Sequence, residues 1–249
     1  MPTAEAFPLY FPTDVRRAFE TDEATRRFGT VAGLGSGSKV LELAAGRGTA
    51  ALVLAREFGC DVVAVEFNDA SLASLTDRVK SLGLTDRIHL RRAELGKLPF
   101  PEAEFDGIIV QGAVLQPATQ LLKELRRLLA PRGRLAFTYP AKVGRFPTRP
   151  AVEFWEQRLG EALLLPREIL ALLQRSGFEP ESVETLSDPE LAELYRQAES
   201  KLDGSPAAAT FKQELDLFRG TGRASVTYAF AIGRRREPGE KPPQSRDRG

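Results

Sequence analysis

Val40-Leu41-Glu42-Leu43-Ala44-Ala45-Gly46-Arg47-Gly48-Thr49 is the stretch from which the fold is read. Its first four residues have the composition of a buried strand. A turn of small residues follows from Ala44 to Gly48, and Thr49 to Phe58 then reads as a helix that Gly59 closes. Strand, tight turn and helix in this order form the ligand-gripping corner of a doubly wound α/β sheet. Glycines in the turn let the backbone take left-handed angles and approach a ligand with no Cβ in the way. Gly46-x-Gly48 alone is a weak signal, because many such pairs are only turn glycines. The neighbouring acids make it informative.

Glu42 sits inside the strand, just before the turn. A pyrophosphate ligand wants only N–H groups and positive dipole there, since a carboxylate repels phosphate. Glu66 ends the next apolar run, Asp61 to Val65. An acid at a strand end, about 20 residues past the glycine turn, is the expected acceptor for ribose hydroxyls. A nucleoside carrying positive charge, such as the sulfonium and ammonium of S-adenosylmethionine, suits both acids better than NAD.

On these residues, together with V-A-V-E (63–66), E-L-G-K-L-P-F-P-E-A-E-F-D (94–106) and L-L-A-P-R-G-R-L (128–135), the chain resembles the class I S-adenosylmethionine-dependent methyltransferases. It is most similar to their small-molecule branch of ubiquinone/menaquinone and arsenite type. The resemblance covers residues 30 to 140 well and the rest loosely. It implies a Rossmann-like, doubly wound, seven-stranded and mostly parallel sheet with an antiparallel last strand and a helical cap. It implies S-adenosyl-L-methionine as cofactor, held by Glu42, Leu43, Ala44, Ala45, Gly46, Gly48, Glu66, Phe67, Glu94, Leu95, Gln111, Gly112 and Ala113. Phe67 lies where the adenine would stack, and Glu94 where an acid meets the adenine amino group. Ala44 departs from the family, which places the first glycine of G-x-G-x-G there. Alanine resists positive φ, so a slightly altered turn and weaker cofactor binding are expected.

Composition narrows the function. At 249 residues the chain suits one domain of doubly wound size, and 42% apolar content supports a sizeable core. A net charge of +1 lacks the basic excess of nucleic-acid platforms. One cysteine, Cys60, excludes an internal disulfide and a multi-thiolate metal site, and no metal site is expected. No apolar run reaches membrane-spanning length and no signal pattern opens the chain, so a cytoplasmic protein, monomer or homodimer, is expected.

The remaining segments are assigned in order. The resemblance implies that residues 1–35, with a helix capped by Thr13 or Asp14 running to about Phe28, form an N-terminal lid over the cofactor, for which Tyr10, Phe11 and Phe19 are candidates, Tyr10 also toward the substrate, unless these aromatics pack the helix onto the sheet edge. His89, the only histidine, falls in the middle of a short strand rather than at a carboxyl end, where this architecture gathers its reactive groups. Residues 111–116, Gln-Gly-Ala-Val-Leu-Gln, lack the Asn/Asp-Pro-Pro-Tyr/Phe turn of relatives that methylate bases or glutamine. The strand pattern stops after Thr138. Segment 139–165 lies where the resembling family inserts its substrate cap, with Tyr139, Arg145 and Trp155 as substrate-facing residues or, equally, as packing residues, and segment 187–220 is expected to extend that cap or to make a subunit contact. The domain is expected to end at residue 232, followed by a disordered tail over 233–249.

Methyl transfer from a sulfonium is an in-line displacement with an activated leaving group, so no universal catalytic residue is required and none is assigned. The leading expectation is a methyltransferase acting on a small molecule. A methyltransferase acting on protein or RNA, or a non-methylating S-adenosylmethionine-binding protein, are the alternatives.

Overall fold

The computed structural model describes residues 7–8, 18–93, 98–116, 118–200, 202, 206–221, 225–237 and 239–240. The corner forms where the sequence places it. Lys39–Leu43 (β2) is buried from Val40 onward, and Thr49–Glu57 (α2) leaves the turn and stops at Phe58, with Gly59 left-handed behind it. Asp61–Glu66 (β3) then returns parallel to β2, Leu43 opposite Val65. Further β-α pairs follow: Asp69–Ser81 (α3), Ile88–Arg92 (β4), Phe105–Val110 (β5), Ala118–Leu128 (α4) and Leu129–Lys142 (β7). Arg149–Leu159 (α5), Pro166–Arg175 (α6), Phe178–Thr185 (β8), Asp188–Glu199 (α7), Pro206–Thr221 (α8) and Val226–Arg235 (β9) complete the chain. The sheet order is β4-β3-β2-β5-β7-β9-β8. Only β9 runs antiparallel, paired on both sides, so the doubly wound seven-stranded expectation holds.

Side-chain alternation explains the layering. In β2 and β3, Leu41, Leu43, Val63 and Val65 face one core, while Val40, Val62 and Ala64 face the other. The first core takes Leu121, Leu122 and Leu125 of α4, Ile169, Leu172 and Leu173 of α6, and the buried residues of α5, α7 and α8. The second takes Asp22–Ala32 (α1) with α2 and α3 through Phe28, Leu54, Leu75 and Val79. Two-residue periodicity in the strands and three-to-four spacing in the helices are enough to build both layers.

Three boundaries differ from the sequence reading. The leading helix begins at Asp22, not at residue 13 or 14. Thr21 caps it, its hydroxyl accepting from the Ala24 N–H at 3.1 Å, and Asp22 and Glu23 complement the helix dipole. Strand β7 runs through Tyr139 to Lys142, because β9 pairs with it as far as Val226 opposite Lys142. Pro131-Arg132-Gly133 forms a bulge within that strand, with Arg132 left-handed. The expectation that disorder begins at residue 233 is also corrected. Gly233–Arg235 belong to β9, and the buried Arg234 pairs with Glu179 and Glu240. Residues 241–249 lie outside the described residues. Among the described residues no helix is long and apolar enough to cross a membrane.

Candidate active site

The turn after β2 is built from alternating left-handed residues: Ala44 at φ 54°, Gly46 at 51° and Gly48 at 70°. Ala44 therefore takes the left-handed angles that a glycine would take. A non-glycine residue there costs about 1–2 kcal/mol, partly offset because glycine loses more freedom on folding. Ala44→Gly is expected to raise stability by about 0.5–1 kcal/mol, read from urea midpoints. A lower midpoint would mean that the buried Ala44 methyl contributes more than the strain removes.

Around this turn two acids are held by backbone donors. Glu42, 4% exposed, accepts from the N–H groups of Ala50 and Ala51 at 3.2 and 2.9 Å, the orphan donors at the start of α2. Glu66, 3% exposed, accepts from Gly46 at 2.8 Å with one oxygen, and from Phe67 and Asn68 at 2.9 Å with the other. Among the described residues neither acid pairs with a lysine or arginine. Burial pushes the Glu42 carboxyl up to about 8. The Ala51 and Ala50 donors oppose this, and the nearby charges of Glu20 and Glu66 add to it.

A third acid was not foreseen. Glu20 is 5% exposed and its Oε1 accepts from the Thr49 hydroxyl at 3.2 Å, at the first residue of α2. It ends a short turn over residues 18–20 that is fastened to the strand ends. Gln111 Nε2 donates to the Phe19 carbonyl at 2.7 Å, and the Thr138 hydroxyl to the Ala18 carbonyl at 3.5 Å. Phe19 is left-handed at φ 57° and stacks on Phe230 at 5.4 Å. Nothing in the local sequence before Thr21 marks Glu20 as special, since its neighbours on the site come from residues 49, 111 and 138. Gln111 is 4% exposed, and its Oε1 is buried with no hydrogen-bond partner among the described residues.

The N-terminal segment reaches the same end of the sheet. Phe7–Pro8 (β1) pairs antiparallel with Ala113–Val114 (β6), in the loop after β5. Gly112 is left-handed at φ 67°. Phe67 is 37% exposed beside Glu66, open to a stacking partner. Tyr10, Phe11, Glu94 and Leu95 lie outside the described residues.

The residues named for substrate scatter. Tyr139 is fully buried, and its hydroxyl donates to Glu161 Oε1 at 2.9 Å. Burial, with the Glu161 charge second, pushes its pKa far up, so it is no base at neutral pH. Trp155 is 4% exposed, edge-on to Tyr228 and Phe154 at 5.9 and 5.8 Å, with the Arg158 guanidinium 5.7 Å over its ring. Beside it lies a cavity of about 20 Å³, lined in part by Tyr195, Glu214 and Phe218. That space suits a water molecule and is far below the size of a ligand pocket. Of the two readings left open for Trp155, packing is the one this burial favours. Arg145 is exposed on the loop after β7 and stacks on Phe146, which is 83% exposed. His89 is exposed on edge strand β4, opposite Val63 in mid-strand and away from the carboxyl ends. Among the described residues no group of three or more His, Cys, Asp or Glu could hold a metal ion.

Comparison with known proteins agrees with this corner. Residues 40–133 match the family model described as a methyltransferase domain. Methyltransferase GfsG of Streptomyces halstedii is 36% identical over 103 residues, covering 41% of this chain and 37% of that protein. The chain spans less than half the length of several curated relatives that it matches over this region. A 27-O-demethylrifamycin SV methyltransferase of Amycolatopsis mediterranei is 24% identical over 233 residues, covering 86% of this chain and 84% of that one. Among solved structures the [4+2]-cyclase SpnF superposes with a TM-score of 0.71 at 20% identity, over 87% of this chain and 81% of that one. The match to a methyltransferase domain thus falls on residues 40–133, the part of the chain that carries the Glu42–Glu66 corner.

Proposed function

We propose that the chain binds S-adenosylmethionine across the turn after β2 and transfers its methyl group to a small molecule. The observation that carries this reading is the pair of buried acids, Glu42 and Glu66, that bracket a left-handed turn and among the described residues have only backbone N–H partners. Such a corner repels pyrophosphate and accepts a cationic nucleoside. Glu66 would take the ribose hydroxyls, Phe67 the adenine face, and Leu43 to Gly48 with Gln111 to Ala113 the remaining wall. The segments after β7 and β8, 143–165 and 187–220, supply the cap, since residues 139–142 belong to β7 and Asp22–Ala32 to the helical layer. The protein's work is to align donor and acceptor and to exclude water, which a cap packed on the carboxyl ends of the strands does without a general base. The near-neutral charge favours a small acceptor over RNA or DNA.

Thermal shift with S-adenosylhomocysteine and with NAD tests the binding step. Stabilisation of about 2.7 kcal/mol is expected with the first at a hundredfold excess over its dissociation constant. Stabilisation by NAD alone would refute the reading. Glu66→Ala is expected to weaken S-adenosylhomocysteine by at least about tenfold, since a hydrogen bond to a charged group is worth roughly 1.5–3 kcal/mol. The variant also strips three N–H groups of their acceptor, so its unliganded stability should fall with it. An unchanged dissociation constant would place the ribose elsewhere. A second reading, a protein of this fold that binds the cofactor without methylating, draws on the likeness to a [4+2]-cyclase. Production of S-adenosylhomocysteine from labelled donor in a metabolite extract separates the two.

A further inference from the structure

Glu20 is a buried carboxylate with no part in the scheme above, on a backbone turn the fold goes out of its way to hold. Burying an acid is costly, and a left-handed Phe19 adds strain, so the turn persists only because its surroundings over-determine it. Those surroundings are the carboxyl ends of β5 and β7, through the bonds from Gln111 and Thr138, and the start of α2, through Thr49. Glu66 lies at the end of β3, on the other side of β2. A ligand whose ribose sits at Glu66 and whose length crosses the turn after β2 therefore arrives with its other end at β5, beside Glu20.

Gln111 points to the same place. Its Nε2 is committed to the Phe19 carbonyl, while its Oε1, in a side chain 4% exposed, has no hydrogen-bond partner among the described residues. A buried acceptor without a donor among the described residues, on the side chain that holds the backbone just before Glu20, suits a multivalent donor, and an ammonium supplies three N–H bonds and a positive charge. The charge of Glu20 also reaches Glu42, raising its proton affinity, a repulsion that a bound cation would relieve.

We propose that Glu20, with Gln111 Oε1, receives the ammonium of the amino-acid end of the methyl donor. The inference rests on the cofactor reading given above. In the full-length chain, calorimetric titration with S-adenosylmethionine, S-adenosylhomocysteine and 5′-methylthioadenosine tests it, because the last of these keeps the nucleoside but lacks the ammonium. Glu20→Gln is expected to weaken the first two by about tenfold to a hundredfold and methylthioadenosine by less than twofold. Glu20→Asp should recover part of the loss. Gln111→Met should show the same selectivity, which keeps the idea testable if the Glu20 variants fail to fold. Equal weakening of all three ligands would reduce Glu20 to a support of the turn and overturn the proposal, as would no weakening at all. A wild-type chain that binds none of the three overturns the cofactor reading itself.

Discussion

Replacing Trp155 by alanine is expected to destabilise the protein by about 3–5 kcal/mol, the usual loss when a fully buried aromatic is truncated in a core. The indole is 4% exposed, with Tyr228 of β9 and Phe154 both edge-on to it, and it belongs to the core shared by α4, α6 and the sheet. The space beside it, about 20 Å³, cannot relax far enough to absorb a missing indole. Urea unfolding followed by circular dichroism reads the loss directly. Affinity for S-adenosylhomocysteine, measured below the unfolding transition, should stay within about twofold, under roughly 0.5 kcal/mol. A variant of wild-type stability that has lost only turnover would instead make Trp155 a substrate contact. Acceptor selectivity would then lie under α5 and not, as its burial indicates, nearer the lid and the loop after β5.

The second large effect is on pH. Folding raises the Glu42 carboxyl from 4.5 to about 8, chiefly by burial, so the folded chain holds a proton that the unfolded chain releases. The stability this group contributes is fully present below pH 4.5 and is lost as the pH climbs through about 8. Each unit of displacement is worth about 1.4 kcal/mol, so the decline across this window amounts to a few kcal/mol. Melting temperatures of the unliganded protein should fall from pH 5 to pH 8 (roughly the interval between the two values of the carboxyl), and Glu42→Gln should flatten the profile there. A cationic ligand responds in the opposite sense. S-adenosylmethionine should bind more tightly as Glu42 ionises between pH 6 and pH 8, with a proton released per complex formed in the lower half of that range. A wild-type melting profile as flat as that of Glu42→Gln would show that the acid ionises normally despite its burial.

The sequence by itself determined the corner, and with it the fold. Apolar alternation in Val40–Leu43 and Asp61–Glu66, glycines at 46 and 48, and the spacing of Leu121, Leu122 and Leu125 are local features. They set strand, turn and helix without help from distant residues. Glu42 and Glu66 were legible for the same reason, since their positions relative to the turn are fixed along the chain. Tertiary structure alone decided the rest. Glu20 becomes part of the site because Thr49, Gln111 and Thr138, far from it in sequence, converge on residues 18–20. Tyr139 is closed off because β9, arriving from the end of the chain, extends the pairing of β7 past the point where the local pattern stops. Ala44 is driven to a positive φ that its own side chain disfavours, because Ala45 must offer its N–H to Val65 and Gly48 its N–H to Ala45. Neither periodicity nor residue type encodes such convergence, which exists only once the sheet has brought its strand ends together.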